Sequence, residues 1–149
     1  MHNKLLIGYG NPLRCDDGVG WFLAHQLYPA YQRAGVQIIA AHQLMPEMAE
    51  AISRASSALF VDAEVGVEPG SWSVIPVPLE HGLALSALVH HLTPGQLLAF
   101  TQALYGSAPP GQIMAIVGAD FGYGERFSEP VAAILTDVRQ HITAFLDNP

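Results

Sequence analysis

The chain has 149 residues, half of them hydrophobic and only 13% charged, which predicts one domain over residues 1–149 with an ordinary apolar core and excludes a disordered chain. Its 14 glycines and 11 prolines are too few for a collagen-like or linker-like sequence. Thirteen acidic against six basic residues leave a net charge of −7, with the basic ones scattered, which excludes capture of a nucleic-acid backbone.

The first apolar run, Leu5-Leu6-Ile7, is too short for a signal-peptide core or a membrane span. Together with a single cysteine, Cys15, this predicts a cytoplasmic protein with no membrane association. Residues 4–9 read as a buried strand running into the Gly10-Asn11-Pro12 loop. Val19, Phe22, Leu23 and Leu27 then recur at helical spacing, predicting a helix from Gly18 to about Arg33 with Asp16 and Asp17 at its start. Strands follow at Val36–Ala40 and Ala58–Asp62, with a helix from Met45 to about Ser53 between them. Trp72–Val77 reads as a strand that Pro76 confines to an edge or an end. Thr93 is placed to cap a helix over Pro94–Tyr105, Ile113–Val117 is another buried strand, and Ser128 is placed to cap a closing helix over Glu129–Leu146. Alternating strands and helices predict an α/β three-layer sandwich, a largely parallel twisted sheet with helices on both faces. Ligands of such sheets bind at the carboxyl ends of the strands, where the 10–20 loop and Asp62 fall.

Three familiar chemistries fail on the residues. Gly8-x-Gly10 opens like a dinucleotide fingerprint, but Leu13 stands where the third glycine belongs and Asp16 and Asp17 would repel a pyrophosphate. The same aspartates oppose ionisation of Cys15, so it is not expected to be a strong nucleophile. Neither a serine-hydrolase elbow nor a zinc-peptidase helix motif is present. What remains is carboxylates and imidazoles at loop positions: Asp16, Asp17, Asp62, Glu64, His90 and His91. Each also has a plain structural use, as a helix-dipole partner, a turn former or a packed side chain. Jointly, two carboxylates and an imidazole at one sheet edge would make a half-open site for a borderline divalent metal.

The run Leu6-Ile7-Gly8-Tyr9-Gly10-Asn11-Pro12-Leu13-Arg14-Cys15-Asp16-Asp17-Gly18-Val19-Gly20 resembles the opening motif of the hydrogenase maturation endopeptidases, which process the large subunit of [NiFe] hydrogenases. Phe60-Val61-Asp62-Ala63 resembles the second motif of that family, and His90-His91-Leu92-Thr93-Pro94 its histidine region, in the same order and spacing. The resemblance implies metal contacts at Asp17, Asp62 and His90, with His91 the alternative because Leu88 stands where a serine is expected. It implies catalytic roles for Asp17 and Asp62, and nickel carried by the substrate with no tightly bound cofactor. The implied partner is a [NiFe] hydrogenase large-subunit precursor, and nothing demands more than a monomer. A related peptidase for another precursor and a non-catalytic escort of the large subunit are the competing readings. Two further segments are candidate cleft walls: His42–Met48, otherwise a helix start with Met45 and Met48 in the core, and the glycine-aromatic loop Asp120–Arg126, otherwise an ordinary surface loop.

Overall fold

The computed structural model describes residues 3–82 and 91–148. Five strands form one sheet: β1 (Lys4–Tyr9), β2 (Val36–Ala41), β3 (Ser57–Val65), β4 (Trp72–Pro76) and β5 (Gly111–Gly118), in spatial order β2-β1-β3-β5-β4. All neighbouring pairs are parallel except β4, which runs antiparallel to β5 at one edge. Its position there agrees with Pro76, which donates nothing to a ladder.

The helices are α1 (Val19–Leu27), α2 (Ala49–Ser53), α3 (Pro94–Tyr105) and α4 (Glu129–Asp147). Strand alternation sorts the core into two clusters. Leu6, Leu59 and Val61 pack with α1 and α4, whereas Leu5, Ile7, Ala58 and Phe60 pack with α2 and α3. The α/β three-layer arrangement read from the sequence is therefore the observed one.

Several boundaries differ from the sequence reading. α1 stops at Leu27 and gives way to a 3₁₀ turn over Tyr28–Tyr31, because Pro29 has no amide to donate and its ring opposes continuation of an α-helix. The segment 46–48 is likewise a 3₁₀ turn leading into a short α2. β3 does not end at Asp62 but pairs with β5 as far as Val65. Thr93 caps α3 as expected, in a reciprocal box with Gln96. Ser128 caps nothing with its side chain, which is used elsewhere.

Close packing of α1 on the sheet depends on glycine. A Cβ on Gly20 would lie 2.2 Å from the Val61 carbonyl oxygen and 2.7 Å from that of Tyr9. Gly20→Ala must push α1 off β1 and β3, and an overpacking cost of about 1–3 kcal/mol or more is expected. Urea denaturation checks this, and a loss below about 0.5 kcal/mol would show that the helix moves freely.

Candidate active site

Chain order and spatial order together locate the site. β1 lies between β2 and β3, so successive crossovers leave it in opposite directions, and the crevice at the carboxyl ends of β1 and β3 is a topological switch point. The β1–β3 pairing runs to Gly8↔Val61. Tyr9 and Asp62 are the next residues along, and both continue the alternation that turns Ile7 and Phe60 toward the α2 and α3 face. They meet there: the Tyr9 phenol donates to the Asp62 carboxylate.

Asp17 arrives from the loop between β1 and α1. Gly10 has φ of +141°, and a Cβ there would lie 1.9 Å from the Asp17 carbonyl oxygen, so only glycine admits this approach. The Asn11 amide donates to Asp17 Oδ2 at 2.9 Å, and no bond to Oδ1 occurs among the described residues. Tyr9, Asp17, Asp62, His42, Gln43 and His91 line one cleft of about 270 Å³, with Gly10, Leu44 and Leu92 completing its wall.

Its electrostatics centre on Asp62. Burial pushes the Asp62 carboxyl up to about 7, opposed by the Tyr9 hydrogen bond and reinforced by the negative charge of Asp17. Burial and the neighbouring Asp62 also raise the Tyr9 phenol well above its ordinary range, so it stays a donor. A carboxyl that changes charge near neutral pH beside a second carboxylate is the kind of group that serves as ligand or base.

The acidic pair splits into two roles. Asp16 is fully buried and accepts from the Ala119 and Asp120 amides, the Ser128 amide and the Ser128 hydroxyl, at 2.7–3.0 Å. Burial alone would raise its carboxyl, but the hydrogen bonds outweigh that and hold it below the usual range. Asp16 therefore bolts the opening loop to the 119–128 segment, while Asp17 faces the cleft.

The loop Asp120–Arg126 completes that brace. The Cys15 amide donates to the Gly124 carbonyl, the Gly124 amide to Leu13, and both Arg14 Nε and Nη2 to the Phe121 carbonyl. Of the other candidate wall, His42, Gln43 and Leu44 do line the cleft, while Met48 is buried in the core.

Of the residues singled out in the sequence, Asp17, Asp62 and His91 share the cleft. His90 lies outside the described residues. Among the described residues no three His, Cys, Asp or Glu side chains converge closely enough to hold a metal ion. The cleft walls therefore carry two carboxylates, Asp17 and Asp62, and two imidazoles, His42 and His91. The sequence alone does not single out Tyr9; its signal is its place as the last residue of β1, the strand beside the one that carries Asp62. No described helix is long and apolar enough to cross a membrane.

No protein-family model matches the sequence, and no curated protein sequence is significantly similar to it. Solved structures do match. The [NiFe] hydrogenase maturation protease HycI from Thermococcus kodakarensis superposes with a TM-score of 0.76 at 22% identity, over 98% of this chain and 93% of that one. The hydrogenase maturating endopeptidase HybD from E. coli gives 0.71 at 17% identity, over 97% and 91% of the two chains. The [NiFe] hydrogenase maturation protease HybD from T. kodakarensis gives 0.71 at 18% identity, over 97% and 99%. The fold of this chain, from its first strand to its closing helix, is the fold of [NiFe] hydrogenase maturation proteases.

Proposed function

We propose that this chain is an endopeptidase of the hydrogenase maturation family that removes the C-terminal extension of a [NiFe] hydrogenase large-subunit precursor after nickel insertion. The observation that carries the reading is the convergence of Asp17 and Asp62 on one cleft at the switch point of this fold. Residues 1–149 form the single domain that does so, acting as a cytoplasmic monomer.

Nickel belongs to the substrate in this reading. Carboxylate and imidazole donors without a thiolate make a modest site, suited to passing contact with a metal already held by a partner's cysteines. Asp17, tethered through Oδ2, keeps its other oxygen for that contact. Asp62 is the second contact or the base that takes a proton from the attacking water, and its elevated carboxyl suits proton transfer near neutrality. Tyr9 holds that carboxyl in place. The imidazole contact is assigned to His90, with His91 the alternative.

The test is processing of a purified large-subunit precursor followed by mass. The wild-type chain is expected to release a C-terminal peptide, and folded Asp17→Asn to do so about 100-fold or more slowly, as loss of one charged transition-state contact implies. Binding without cleavage by the wild type would make the protein an escort, and normal cleavage by Asp17→Asn would remove Asp17 from the chemistry.

A further inference from the structure

One wall of the cleft begins at His42, the residue that follows the edge strand β2. β1 donates to β2 through the Gly35 and Ala41 carbonyls, from the Lys4 and Gly10 amides respectively. In a strand, alternate residues turn their amide and carbonyl to opposite sides, so Val36, Ile38 and Ala40 present theirs away from β1. No bond to these outward groups occurs among the described residues. β2 stands at the end of the sheet and its sequence, Val-Gln-Ile-Ile-Ala-Ala, has no proline and no charge. Exposed edges are ordinarily blunted by such residues, as β4 is by Pro76 at the opposite edge.

Two cavities lie along this edge. One, of about 270 Å³, opens beside Val36, Gln37 and Ile38 against the Tyr28–Arg33 turn. The other is the candidate active-site cleft, whose wall begins at His42, the residue after β2. The strand between them is thus continuous from one cavity to the other.

We propose that β2 is the substrate-docking strand: an extended segment of the precursor's C-terminal region pairs with the outward backbone of Val36, Ile38 and Ala40 and so enters the cleft beside His42. Main-chain pairing of this kind gives affinity with little demand on side-chain identity. The inference rests on the peptidase reading. Strands are about 4.8 Å apart, so a peptide outside β2 lies about 14 Å from Asp62 on β3, and about four residues separate the paired segment from the scissile bond.

The test uses the full chain and the nickel-loaded precursor, with Ala40→Pro. This change deletes an amide that faces outward, so β1–β2 pairing survives, and proline is tolerated on such an edge. It is expected to raise KM about tenfold or more with kcat nearly unchanged. A second measurement needs no variant: synthetic peptides of the precursor's C-terminal region, N-methylated at one amide at a time, compete with the precursor. Alternate positions, starting about four residues from the scissile bond, are expected to lose competition, and those between to keep it. Unchanged KM for folded Ala40→Pro, or methylation effects without alternation, overturns the docking strand while leaving the peptidase reading intact. Failure of the wild type to cleave the precursor overturns both. Concentration-dependent dimerisation that Ala40→Pro abolishes, with KM unchanged, assigns the edge to a second copy and overturns the proposal.

Discussion

Asp62→Asn is expected to slow processing severely and, at pH 8, to make the folded chain more stable. The carboxyl of Asp62 is raised from 3.8 to about 7, so between those values the folded chain holds a proton that the unfolded chain has released. Stability therefore falls as pH rises through this window, and above pH 7 the ionised carboxylate costs up to about 4 kcal/mol. Asparagine carries no charge and still accepts from Tyr9, so the variant escapes that cost. In urea denaturation it is expected to exceed the wild type at pH 8 by up to this amount, with the difference closing toward pH 4. Processing is expected to fall about 100- to 10,000-fold, the range for a lost general base. A variant no more stable than the wild type at pH 8 would show that Asp62 is not held against its ionisation.

The neighbouring aspartate is expected to behave in the opposite way. Asp16→Ala leaves the amides of Ala119, Asp120 and Ser128 and the Ser128 hydroxyl without their shared acceptor. A loss of about 3–5 kcal/mol is expected, typical of breaking a buried charged network. Because the folded carboxyl is held below its usual range, its contribution is present above about pH 4 and is lost as pH falls further. Wild type and variant are therefore expected to converge in stability at acid pH. Processing falls too, since the loop that carries Asp17 is no longer bolted to the 119–128 segment. A loss below 1 kcal/mol at neutral pH would contradict that role.

These contrasting aspartates mark how far the sequence could be read. Periodicity and capping residues gave the layers, the order of strands and helices, and the placing of Asp17 and Asp62 at one sheet edge, because those follow from local pattern. The division of labour between Asp16 and Asp17 does not. They sit in a 3₁₀ turn over Cys15–Gly18, where consecutive side chains diverge by about 120°, and the donors that claim Asp16 lie more than 100 residues away in sequence. The same distance hid the brace formed by Gly124 and Phe121, so Asp120–Arg126 reads in the sequence as an ordinary surface loop or a substrate contact. Ser128 does stand at the N-cap of α4, but its hydroxyl is turned to Asp16, a partner equally distant in sequence. Tyr9 escaped notice because its meaning comes from the strand beside it: only the β1–β3 register sets its phenol against Asp62.

The most direct test of the account is the mass of a [NiFe] hydrogenase large-subunit precursor after incubation with the purified chain, with nickel loaded and without. Loss of a C-terminal peptide from the nickel-loaded form alone is the predicted result. Cleavage of both forms alike would contradict the role of nickel, and an unchanged mass in both would contradict the peptidase itself.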